Sequence, residues 1–180
     1  MKLFGISSLS VLATALLVLL AGPVGAQESA FKPGPLIPEY GHIAAVEGTE
    51  KLPAGVKFKV AMDATKRSEG DKVNAVFERT ARFLNMHVAA GVPAENIKMA
   101  VVVHGSAVMD VTSDSRYGSA NPNAKLVKLL QANGVTFYVC GQAAAYHEVT
   151  VKDLMPGVKM SISAMTAHAL LQQQGYTLNP

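Results

Sequence analysis

Cys140 is the one cysteine in this 180-residue chain, and its setting suggests chemistry. It follows the apolar run Val135-Thr136-Phe137-Tyr138-Val139 and precedes Gly141-Gln142-Ala143-Ala144-Ala145. The run reads as a buried strand that aims the sulfur at the carboxyl edge of a sheet. The segment after it reads as the first turn of a helix, whose free backbone N–H groups favour a thiolate. Two other polar residues stand where apolar runs stop: Asp63 after a first strand and His104 after a second. A thiol with an imidazole as its base is the equipment of nucleophilic sulfur chemistry. His147 lies seven residues beyond Cys140 on the same helical face, but seven helical residues rise about 10 Å, too far for contact. His104 is the better base if the second and third strands are neighbours.

Each residue also has a plainer reading. Asp63 can cap the loop that follows it, and His104 beside Gly105 can be a satisfied turn histidine. A free cysteine is often a small buried hydrophobe. One cysteine cannot pair within its own chain, so Cys140 is an inert thiol, an intermolecular bridge or a reactive group. No metal or cofactor is expected. The five histidines, His42, His87, His104, His147 and His168, show none of the short spacings of zinc sites. The chain has no Cys-x-x-Cys pair, no phosphate-binding glycine loop and no G-x-S-x-G nucleophile elbow.

The elements that must position these residues alternate between strand and helix. Val56 to Ala61 reads as the first strand. Asp71 to Ala90 reads as a helix, with Val73, Val76, Phe77, Thr80, Leu84, His87 and Val88 on one face and Gly91 as its stop. Ile97 to Val103 is a continuous apolar run suited to a strand buried on both faces. A short helical turn after His104-Gly105 and a polar loop from Thr112 to Ala120 come next. A helix is then capped by Asn121, opened by Pro122 and stopped by Gly134. The third strand delivers Cys140. After a short helix and the Met155-Pro156-Gly157 turn come a fourth strand at Val158 to Ile162, a helix at Ser163 to Gln174 and an edge strand at Tyr176 to Leu178. Such βα units with short connections imply a three-layer α/β/α domain around a mainly parallel sheet.

The N-terminus reads as a secretory signal over residues 1–26. It has Lys2, the apolar run Leu9 to Ala21 and the small-residue site Val24-Gly25-Ala26. The run is shorter than the roughly 20 residues of a membrane span, although an uncleaved anchor is the other reading. No cysteine follows it, which excludes a lipoprotein. The mature chain should start near Gln27 in the periplasm, with no membrane attachment. Residues 27–55, with Pro33, Pro35 and Pro38, read as an extended arm able to cross a neighbouring subunit, and 56–180 as one α/β domain. Lys and Arg number 16 and Asp and Glu 13; the signal removes Lys2 and no acid, leaving a net charge of +2. That balance, without a basic stripe interleaved with aromatics, argues against a nucleic-acid partner.

Several segments occur in an order that resembles a known family. They are Asn74-Ala75-Val76-Phe77-Glu78-Arg79, Ala81-Arg82-Phe83-Leu84-Asn85, Val101-Val102-Val103-His104-Gly105, Asn121-Pro122 and Val139-Cys140-Gly141-Gln142. Together, over roughly Lys57 to Gly175, they resemble the DsrE/DsrF-like family of sulfur-relay proteins. The resemblance implies a five-stranded parallel sheet of order 4-3-2-1-5 and assembly into trimers or hexamers. It also implies a persulfide carried on Cys140, with His104-Gly105 beside it at the neighbouring strand end. The characterised relay branches are cytoplasmic, and the signal segment sets this chain apart from them. The expected function is therefore a periplasmic acceptor or carrier of sulfane sulfur, a possible sulfurtransferase with a protein sulfur donor or acceptor. Cys140 and His104 are the reactive residues, and Gly105, Gly141 and Gln142 the substrate or anion contacts. The alternative is a non-catalytic homo-oligomer that binds a small anion or a partner, with an inert Cys140.

Overall fold

The computed structural model describes residues 30–179. The signal segment, its cleavage site and Gln27 to Ser29 lie outside the described residues. Among the described residues no helix is long and apolar enough to cross a membrane.

Strands β1 (Phe31–Lys32) and β2 (Ile43–Ala44) form a small antiparallel ribbon. The main sheet holds β3 (Phe58–Ala64), β4 (Ile97–Val103), β5 (Thr136–Cys140), β6 (Lys159–Ser161) and β7 (Thr177–Asn179). Its order is β6-β5-β4-β3-β7, and every pairing is parallel. Counting only these five strands, this is the 4-3-2-1-5 order.

The helices are α1 (Ala75–Ala89), the single turn α2 (Asp114–Tyr117), α3 (Ala124–Ala132), α4 (Gly141–Tyr146) and α5 (Ala164–Gln173). A 3-10 segment, Gly105–Val111, follows β4. One face of the sheet carries the large core. Phe77 and Leu84 of α1, Leu126 and Leu130 of α3, and Val108 and Val111 of the 3-10 segment pack there on Met99, Val101, Phe137 and Val139. The other face is covered by α5, whose Ala167 and Leu171 pack on Ala61, Ala100 and Val102.

Several boundaries differ from the sequence reading, and four of the differences have a clear local reason. α1 starts at Ala75 because buried Asn74 is its cap, its side chain accepting the Val76 N–H. Pro122 lies outside α3, whose cap is Asn123; Asn121 instead accepts the Asn123 N–H and builds the turn before it. The Thr112 to Ala120 loop contains the turn α2, and Asn121 N–H is held by Asp114. β3 runs on to Ala64, because its ladder with β4 continues to the pair Ala64↔Val103. Asp63 therefore lies inside a strand, where its side chain direction is fixed by the pleat.

The proline-rich segment packs on its own chain. Ile37 is 1% exposed and belongs to the large core. Asn85 of α1, fully buried, accepts the N–H groups of Leu36 and Ile37 and donates to the carbonyls of Ile37, Tyr40 and Gly41. Glu78 accepts the Gly41 N–H, and Arg82 donates to the His42 carbonyl. One helix thus holds the segment by its backbone, which needs no apolar pattern in the segment itself.

Candidate functional site

Side chains two residues apart along a strand share a face. Asp63 follows Ala61, His104 follows Val102 and Cys140 follows Tyr138, all on the face that α5 covers. The β4–β5 register pairs Val103 with Val139, so His104 and Cys140 are neighbours one step beyond it. Adjacent strands run about 4.8 Å apart. The fold thus brings Asp63, His104 and Cys140 to one edge and one face.

Cys140 is 7% exposed and caps α4, its Sγ accepting the Ala143 N–H at 3.5 Å. Gly141 must be glycine: a Cβ there would lie 2.7 Å from the Ser161 carbonyl oxygen and 3.1 Å from that of Ile162. That close approach seats the exit of β6 against the β5–α4 junction. The exposed Gln142 side chain donates to the Ile162 carbonyl at 3.4 Å, tying the same junction from outside. Gly105 turns the chain directly after His104, with φ +54, and a Cβ on it would meet the Thr65 carbonyl oxygen at 2.7 Å.

Asp63 is the hub of the edge. Its carboxylate accepts from His104 Nε2 at 3.0 Å and from His168 Nε2 of α5 at 2.8 Å. Burial alone would push the Asp63 carboxyl up. The hydrogen bonds from His168 and His104, with the charge those rings can carry, outweigh it and hold the group below the ordinary carboxylate range. With Nε2–H committed to Asp63, the free acceptor of the His104 ring is Nδ1. Asp63 therefore does not cap a loop, and His104 is not merely a turn residue: the two form an oriented imidazole–carboxylate pair beside a thiol.

His168 had no part in the sequence reading beyond being counted. A signal was present, because it shares the stripe Ala164, Ala167, His168, Leu171 that α5 turns toward the sheet. The other histidines lie elsewhere. His147 ends α4, its carbonyl accepting from Arg116. His87 stacks on Phe83 at 3.9 Å between centroids and bonds the Phe83 carbonyl. Among the described residues no three His, Cys, Asp or Glu side chains converge as a metal site requires.

The loop beyond β3 is braced by a polar cluster that sequence reasoning also missed. Fully buried Asp110 accepts from the Ser68 N–H and hydroxyl and from Asn74 Nδ2. Asn123 accepts the Asn74 N–H and donates to Ser68 and Asn121.

The family profile described as DsrE/DsrF-like matches residues 57–180, the whole βα domain. The chain belongs to the DsrE/DsrF-like family. Two solved structures share the fold of this DsrE/DsrF-like protein, each with a TM-score of 0.51. One is a protein of unknown function, MTH1491 from Methanobacterium thermoautotrophicum, 18% identical over 68% of this chain and 98% of that one. The other is the ychN protein from E. coli, 13% identical over 67% of this chain and 96% of that one. At these identities the likeness concerns the fold. No curated protein matches the chain.

Proposed function

We propose that this DsrE/DsrF-like protein accepts and carries sulfane sulfur as a persulfide on Cys140, in the periplasm after export. The observation that carries the reading is the edge itself: a thiol on β5 with an imidazole at the neighbouring strand end, oriented by Asp63. The Cys140 thiolate attacks the outer sulfur of a donor R–S–S–H. The new S–S bond forms as the donor's own S–S bond breaks, the electron pair leaves on R–S⁻, and the product is Cys140–S–S–H. His104 Nδ1 takes the thiol proton before attack, while Asp63 stabilises the charged ring. No outside oxidant is needed, because the donor's sulfur already carries the oxidation level that is passed on. Incubation with polysulfide followed by mass spectrometry tests this. The expected result is a gain of about 32 Da, one sulfur, confined to Cys140; an unmodified Cys140 overturns the reading.

The second reading, a non-catalytic module with an inert thiol, draws on the 7% exposure of Cys140. Native-state thiol labelling separates the two. Fast labelling at neutral pH supports the carrier, and labelling only on unfolding supports the inert module.

Assembly into a homo-oligomer, a trimer or hexamer, belongs to the same proposal. It is supported by exposed apolar side chains on and beside α5: Ile162, Met165 and Leu170. A sulfur donor or acceptor protein would meet Cys140 at the same edge.

A further inference from the structure

A second crevice, of about 360 Å³, lies beyond β3 between the loop at residues 65–73 and the start of α1. It is at the small end of the range for ligand sites, roughly 300–1,000 Å³. Its walls carry Lys66, Arg67, Lys72 and Arg79 against two carboxylates, Asp63 and Glu69. Among the described residues none of the four cations has a carboxylate within salt-bridge distance. They also gather at the positive end of α1, where a cation is disfavoured by the helix dipole. The acid of that first turn, Glu78, is engaged by the Gly41 N–H and does not line the crevice. Four like charges lining one crevice without carboxylate partners raise the local affinity for anions.

The wall is built before any ligand arrives. Ser68 and Asn74, both lining the crevice, are fixed from beneath by the buried Asp110. The Arg67 N–H is held by Ser106, and its guanidinium lies over the Tyr117 ring, 4.4 Å from the centroid. Pre-organisation of this kind lowers the ordering cost of binding.

We infer that this crevice binds a compact dianionic group of the sulfate or phosphate class, with Lys66, Arg67, Lys72 and Arg79 as its counter-charges. The crevice shares Asp63 with the Cys140 edge, but none of its four cations belongs to that edge. β3 stands two strands from β5, about 10 Å at the usual spacing. The inference holds whether or not Cys140 carries sulfur.

The test is titration of isotope-labelled protein with inorganic phosphate, sulfate and thiosulfate, at ionic strength held constant with chloride. Saturable amide shifts confined to residues 65–79 are expected for the dianions and not for chloride. Arg79→Ala with Lys72→Ala should weaken binding at least tenfold, and Cys140→Ser should leave it unchanged. Tighter binding of thiosulfate would mark a sulfur-donor anion as the natural ligand, and tighter binding of phosphate a phosphorylated metabolite; both support the site. Shifts that do not saturate, that chloride reproduces, or that the double variant retains would overturn it.

Discussion

Asp63 gathers two imidazoles from distant parts of the chain, His104 and His168, onto one carboxylate. Three expectations follow from that arrangement. Replacing the base by His104→Gln should slow persulfide formation at neutral pH about a hundredfold, the low end of what general-base catalysis contributes. Stopped-flow measurement of polysulfide consumption reads this directly, and an unchanged rate would remove His104 from the chemistry. Asp63→Asn should alter the acid limb of stability. A carboxyl held below its ordinary value stabilises the fold fully above the unfolded value, about 3.9, and ceases to do so as pH falls through the folded value. The gap between wild type and variant in urea midpoint should therefore be constant above about pH 5 and close below about pH 4. Gly105→Ala should cost about 2 kcal/mol or more, since a positive φ and a backbone oxygen both exclude the methyl group. The Cys140 and His104 positions were legible in the sequence because each ends an apolar run. Their link through Asp63 to His168 was not. His168 lies 105 residues from Asp63, and only the way α5 crosses the second face joins them.

The elements themselves were largely readable, because periodicity of two and of three to four residues reports burial directly. What failed were boundaries set by polar side chains. Asn74 and Asn123 start their helices later than the expected starts at Asp71 and Pro122. The proline-rich segment is the clearest case. Leu36-Ile37 is a lone apolar pair between Pro35 and Pro38 with no period, yet Ile37 enters the core because Asn85 satisfies the backbone around it. Asn85→Ala would strand those buried N–H and carbonyl groups, each worth about 1–3 kcal/mol when unpaired. The expected outcome is a loss of about 3 kcal/mol or more in denaturant unfolding. Early proteolytic cleavage between Lys32 and Lys51 should accompany it. Resistance equal to wild type would show that Ile37 burial alone retains the segment.

For the whole molecule, the exposed Ile162, Met165 and Leu170 leave apolar surface on the α5 side. Light scattering should give a multimeric mass that Cys140→Ser preserves under reducing conditions and Met165→Glu reduces. A monomer in every case would end the assembly proposal. Short βα connections made the parallel sheet accessible without coordinates, whereas its 4-3-2-1-5 order came from the family resemblance alone. The two faces of that sheet are unequal: α1 and α3 bury large side chains, whereas α5 rests mainly on the alanines and valine of β3 and β4. Helices that bury little can open without the rest of the chain unfolding. Opening of α5 would take His168 from Asp63, the carboxylate that the thiol edge and the basic crevice share. Amide hydrogen exchange in α5 should then be faster than in α1 in the free subunit, and should slow when either the multimer forms or an anion fills the crevice. In that sense the thin layer would act as a hinge pin, its exchange rate reporting at one place what is bound at the other.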